Sequence, residues 1–266
     1  MATDAARIHE YGMAKTQRRD AWWAGPLVTG LVLGSFVVYT TCRIFQNAYF
    51  HFGEGTEILP DHSYVLSPMY SPLLVLPNWV PNWVSPAMLI LWMPGGFRLT
   101  CYYYRKAYYR AFFLDPVACA VGEPRDQYKG ETHLLLFQNI HRYFLYVALV
   151  FILILGYDAI ESFIWPTPGG GHTFGMSVAS LVLTTGTTLL ALYTFSCHSL
   201  RHLVGGNVDC FSCVRGGQAR YKTWRGVTRL NEHHMFWAWT SLFGVTLADL
   251  YVWMVASGRI HDLRLF

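Results

Sequence analysis

Residues able to do chemistry concentrate between Cys197 and Cys213, CHSLRHLVGGNVDCFSC, which holds three of the chain's six cysteines together with His198 and His202. Thiolates and imidazoles this close can share one soft or borderline metal, and three chemistries compete: zinc, an iron–sulphur cluster, or haem through a histidine alone. His198 and His202 stand at i and i+4 on one helix face, and Cys210-Phe-Ser-Cys213 is a CxxC. Two imidazoles on one iron and two thiolates on the other make the ligand set of a Rieske-type [2Fe–2S] centre. His198, His202, Cys210 and Cys213 are therefore the first candidate set, and the same four would hold a structural zinc. Adjacent Cys197 and His198 diverge by about 100° around a helix and serve different faces. Cys197 with Cys101 or Cys119, and a histidine from His141 or from the His233-His234 pair, is the rival set.

What must position these residues follows from composition. The chain of 266 residues is 53% hydrophobic and 17% aromatic but only 14% charged, with mean hydropathy +0.26. That is the mixture of an all-α polytopic membrane protein. Residues 1–20 are polar without an apolar core, so they read as a cytoplasmic N-terminus and not as a signal peptide. The cysteine spacings do not form a secreted disulfide framework, which leaves reduced thiols available for metal.

Crossing about 30 Å of hydrocarbon takes roughly 20 helical residues. Five segments are long enough, near 22–44, 86–110, 136–161, 174–199 and 232–256, in one membrane domain spanning 1–266. The net charge of +4 sits in their flanks and argues for lipid headgroups, not nucleic acid. Arg7, Lys15, Arg18 and Arg19 precede the first segment. Arg98, Arg105, Lys106, Arg110, Arg125 and Lys129 follow the second, and Arg201, Arg215, Arg220, Lys222, Arg225 and Arg229 follow the fourth. Between Ile44 and Phe97, and between Tyr143 and Leu200, there is no Lys or Arg. This asymmetry places the N-terminus and both basic loops in the cytoplasm and the C-terminus outside.

The 45–85 loop is apolar but repeatedly broken by proline and carries Trp79 and Trp83, as expected of an outer cap at the membrane interface. The fourth segment is rich in Gly, Ser and Thr, residues that let membrane helices approach closely. Asp249 in the fifth lies toward the outer half, where a lone carboxylate is costly and must be paired or functional, while Asp158 and Glu161 reach outer headgroup water.

That topology sorts the ligand-capable side chains. Cys101, Cys119, His141, Cys197, His198, His202, Cys210, Cys213, His233 and His234 all fall at the cytoplasmic level. His51, His62, His172 and His261 lie outside. A dihaem cytochrome b needs two histidines at each of two membrane levels, and the outer half of the spans has none. One haem b near the cytoplasmic face, on His141 and either His198 or His234, remains open. A quinone slot at that level needs aromatic walls and donors, for which Tyr103, Arg105, His141, Tyr146, Trp237 and Trp239 are candidates.

The runs PGGFRLTCYYYRKAYYRAFFLDPVACAVGEP, SCHSLRHLVGG, RLNEHHMFWAW and DLYVWMVASGRIHD resemble the membrane-anchor subunit of an actinobacterial-type succinate dehydrogenase, over most of residues 86–262. The resemblance implies a complex in the cell membrane. In it a flavoprotein oxidises succinate, an iron–sulphur subunit docks over the cytoplasmic basic loops, and the anchor delivers electrons to menaquinone. The four histidines that hold two haems in other five-helix anchors are missing here, which leaves the Cys/His group as their expected replacement. A non-redox anchor clamped by zinc is the contrasting reading.

Overall fold

A computed structural model describes residues 12–114, 116–124, 134–206 and 208–266. Arg7, Arg125 and Lys129, counted above in the basic flanks, lie outside the described residues. The chain is mostly helical. In order come α1 (Ala24–Gln46), a ribbon of β1 (His51–Phe52) and β2 (Val65–Leu66), α2 (Pro86–Ile90), α3 (Trp92–Thr100), α4 (Tyr102–Tyr108) and a π-helical turn at Tyr109–Phe113. Then follow α5 (Leu134–Glu161), a second ribbon of β3 (Ile164–Pro166) and β4 (His172–Phe174), α6 (Val178–Phe195), α7 (His198–Gly205), α8 (Gly217–Glu232) and α9 (His234–Ala256).

Among the described residues four helices are long and apolar enough to cross a membrane: Ala24–Gln46, Asn139–Glu161, Val178–Phe195 and His234–Ala256. The segment expected to span at 86–110 is instead broken into α2, α3 and α4. Pro94 has no N–H to give to the carbonyl of Ile90, which interrupts the ladder between α2 and α3. Cys101 then leaves helical geometry altogether, at φ −62° and ψ 129°. The fourth expected span is shorter than 174–199 at both ends. Phe174 belongs to β4, and Ser177 caps α6 by accepting a hydrogen bond from the Ser180 N–H, in a capping box.

The chain divides into two compact units, one of residues 1–42 and 98–141, the other of residues 43–97 and 142–266. In the second, α6 and α9 pack along their lengths. A Cβ on Gly186 would meet the Gly244 carbonyl oxygen at 3.2 Å, and one on Gly244 would meet Leu189 Cδ1 at 3.1 Å, so the small residues do permit the close crossing their composition suggested. A buried cluster of Phe52, Val65, Ala179, Leu183, Ala248 and Val252 fixes the 45–85 loop on this helix pair. Arg43 and Asp249 seal the same region. Their side chains are 4% and 0% exposed and Nε lies 2.8 Å from Oδ2, while Ser67 donates to Asp249 and the Tyr70 hydroxyl to the Arg43 carbonyl. Asp249 is thus paired, by a cation at the end of α1.

Candidate functional site

In the first unit, the Cys101 N–H donates to the Arg98 carbonyl (3.2 Å) and its own carbonyl accepts from the Arg105 N–H (2.9 Å). The residue therefore ends α3 and starts α4, and its thiol side chain is buried, 3% exposed. Its neighbour Thr100 sets Oγ1 2.9 Å from Nδ1 of His141, which is also buried.

The second unit builds the same arrangement from different residues. Cys197, at φ −63° and ψ 136°, separates α6 from α7. Its N–H donates to Thr194 O (3.2 Å), its carbonyl accepts from the Arg201 N–H (3.1 Å), and it is 1% exposed. The preceding Ser196 sets Oγ 2.6 Å from Nδ1 of His234. Asn231 Nδ2 donates to the Ser196 carbonyl (2.7 Å), and the His234 ring stacks on Tyr193 with centroids 5.1 Å apart. Each unit thus holds a hydroxyl–Cys–x–x–x–Arg segment, Thr100 to Arg105 and Ser196 to Arg201, whose hydroxyl takes the Nδ1 of a histidine further along the chain. Nδ1 of each imidazole is thereby engaged, which fixes the ring's orientation. This short repeat is the signal that sequence reasoning passed over.

The other candidates are placed differently. Cys210 and Cys213 are joined to each other in a disulfide, a form in which neither is the thiolate a metal needs. His198 and His202 are exposed on α7, which buries none of its residues. Partial desolvation of the ring by neighbouring atoms, then the charges of Arg201 and His202, lowers the pKa of the His198 imidazole although the residue is exposed. Cys119 is exposed, its carbonyl accepting from Arg18 Nη1 (2.9 Å), and His233 is exposed where α8 ends. Among the described residues, no three or more His, Cys, Asp or Glu side chains come together as a group that could hold a metal ion.

Of the quinone candidates in the first unit, Arg105 is buried with its guanidinium over the rings of Tyr102 (5.1 Å) and Tyr109 (6.0 Å), and Tyr103 packs edge-on against Tyr104. In the second unit Tyr146 is exposed and Trp237 and Trp239 are half-buried. The Trp237 Nε1 is buried without a hydrogen-bond partner among the described residues.

The family model for the actinobacterial succinate dehydrogenase subunit SdhC matches residues 24–258. The chain belongs to that family. A solved structure described as the Mycobacterium smegmatis Sdh1 complex in the apo form contains a chain 42% identical to this one, with a TM-score of 0.80 over 94% of each chain. No curated protein matches. Membership of the SdhC family makes the chain a membrane subunit of a succinate dehydrogenase complex, whose other subunits are its partners.

Proposed function

We propose that this chain is the quinone-reducing anchor of its complex. In this reading it takes electrons from the iron–sulphur subunit at the cytoplasmic face through a Rieske-type [2Fe–2S] centre and delivers them to menaquinone. The observation that carries the reading is one arrangement found in each unit by itself: a buried cysteine whose preceding hydroxyl engages a histidine, Cys101 with His141 and Cys197 with His234. Such a centre takes thiolates and imidazoles, and with Cys210 and Cys213 joined in a disulfide the preferred candidates are Cys101 and His141 in the one unit and Cys197 and His234 in the other, each pair taken by itself. The centre supplies one-electron transfer at a potential suited to quinones.

The remaining roles belong to the chain's own side chains. Thr100 and Ser196 orient His141 and His234 through hydrogen bonds between their hydroxyls and Nδ1 of each ring. Cys101 and Cys197 each take extended backbone geometry between two helices while their own N–H and carbonyl keep partners on either side. Trp237, one turn beyond His233 on α9, offers its buried Nε1–H as a donor to a quinone carbonyl oxygen. Tyr146 and Trp239, in the same unit as Trp237, would supply aromatic wall, while Tyr103, Arg105 and His141 stay candidates within the other unit.

The test is succinate-to-quinone electron transfer by the purified complex carrying Cys101→Ser, His141→Ala, Cys197→Ser or His234→Ala. Loss of about a hundredfold or more is expected, with succinate oxidation by a soluble dye retained. Quinone reduction at the wild-type rate in all four would overturn the assignment.

A further inference from the structure

We infer that Cys210 and Cys213 form a reversible dithiol–disulfide site, opened by a dithiol reductant of the thioredoxin class and separate from the electron path. The inference rests on the proposed cytoplasmic placement of the 199–231 segment. Disulfides on that side are transient and catalytic or regulatory, since the compartment keeps structural thiols reduced. The two cysteines bracket a single 3₁₀ turn, Phe211–Cys213, and so close a very short loop, where cross-linking removes little chain entropy.

The surrounding fold holds this loop without the sulphur bond. Phe211 packs on Tyr221 and Trp224, with ring centroids 5.4 and 6.1 Å away. Arg220 donates from Nε to the Val204 carbonyl (2.5 Å) and from Nη2 to the Gly206 carbonyl (2.7 Å), tying α8 to the last turn of α7. Arg201 reaches Thr228 Oγ1 (3.0 Å) and lies over the Trp224 ring. Gly217 abuts the Phe211 carbonyl so closely that no Cβ would fit. A bond that its frame does not need can open and close without unfolding.

Access and charge set the direction of attack. Cys213 is exposed and Cys210 half-buried, with Ser212 Oγ 3.2 Å from Cys210 Sγ. A reductant thiolate attacks Cys213 Sγ, the S–S bond breaks, and its electron pair stays on Cys210 Sγ, where Ser212 can donate a hydrogen bond before a proton arrives. The reductant's second thiol then attacks the mixed disulfide and releases Cys213, so the chain gains two electrons and two protons while the reductant becomes a disulfide. Between Val208 and Asn231 stand Arg215, Arg220, Lys222, Arg225 and Arg229 against Asp209 alone, a balance that favours thiolate.

The experiment uses the whole complex in native membrane vesicles. Free thiols are blocked with maleimide, the vesicles are treated with thioredoxin and its reductase, and newly exposed thiols are alkylated with iodoacetamide. The tryptic peptide 202–215 carries both cysteines and is read by mass spectrometry. Two iodoacetamide groups, gained in inside-out vesicles with thioredoxin and its reductase present and absent when thioredoxin is omitted, are expected. A Cys210→Ser/Cys213→Ser complex should assemble and reduce quinone as the wild type does. Two maleimide groups in oxidant-treated membranes, or a bond opened only after denaturation, would overturn the inference. Labelling in right-side-out vesicles alone would overturn the cytoplasmic placement and the inference with it. Loss of quinone reduction in the double variant would show that the site is not separate from the electron path.

Discussion

Ser196 Oγ lies 2.6 Å from Nδ1 of His234, and the residue after this serine is the buried Cys197. One dipeptide thus supplies a thiol and orients an imidazole 38 residues away. Thr100-Cys101 does the same for His141.

If these hydroxyls orient ligands, removing one should act on the metal centre and leave the fold intact. Ser196→Ala is expected to lower cofactor occupancy or quinone reduction about ten- to hundredfold, as loss of outer-sphere partners does elsewhere. Ser196→Thr, which keeps the hydroxyl, should recover most of it. Iron content per complex alongside the turnover rate checks this, and a shifted reduction potential in the residual centre would distinguish orientation from packing.

The Arg43–Asp249 pair makes a different prediction, about stability alone. Both groups are buried, so Asp249→Ala strands the Arg43 guanidinium and should destabilise by about 3–5 kcal/mol. Replacing both, Arg43→Met with Asp249→Leu, should cost far less than either single change. Thermal denaturation of the purified complex measures this, and quinone reduction per intact complex should be unchanged throughout.

The C-terminal tail carries a pH dependence of known sign. Asp262 accepts from the Ala179 N–H (3.0 Å) and the Tyr251 hydroxyl (2.7 Å), and its Oδ2 lies 2.8 Å from His62 Nε2. Burial alone would raise its pKa, but hydrogen bonds from His62, Ser177, Tyr251 and Ala179 outweigh burial and hold it below the usual value. A depressed carboxyl stabilises the folded state fully above its unfolded pKa of about 3.9 and ceases to as pH falls through the lower folded value. The tail should stay docked from pH 8 to about pH 5 and loosen only below about pH 4. Hydrogen exchange of residues 260–266 against pH reads this out, and Asp262→Asn should loosen the tail at neutral pH.

Much of this architecture was legible in local pattern. Four apolar segments of spanning length became helices, the prolines of the 45–85 loop kept it irregular, and the Gly, Ser and Thr of α6 marked its close partner face. What escaped depended on long-range contact or on a single dihedral. The run 86–110 looks continuous in hydropathy, and only the missing N–H of Pro94 and the extended ψ of Cys101 divide it. Arg43 stands 206 residues from Asp249, so a costly lone carboxylate could be noticed but its partner could not. The spacing of Cys210 and Cys213 reads equally as a metal clip or as a redox pair, and proximity to His198 and His202 favoured the first. The repeated hydroxyl–Cys–x–x–x–Arg segment has few fixed positions, and its meaning lay in the histidines folded back to it.

The proposed [2Fe–2S] centre is expected to draw on the buried Cys197 and its neighbour His234 and not on Cys210 and Cys213. Low-temperature EPR of the dithionite-reduced complex, compared among wild type, Cys197→Ser and Cys210→Ser/Cys213→Ser, tests it most directly. The low-average-g rhombic signal of a mixed His/Cys cluster is expected in the wild type, with its loss in Cys197→Ser and its persistence in the double variant. A signal that survives Cys197→Ser but vanishes with Cys210 and Cys213, or a haem absorption band with no such signal, would contradict it.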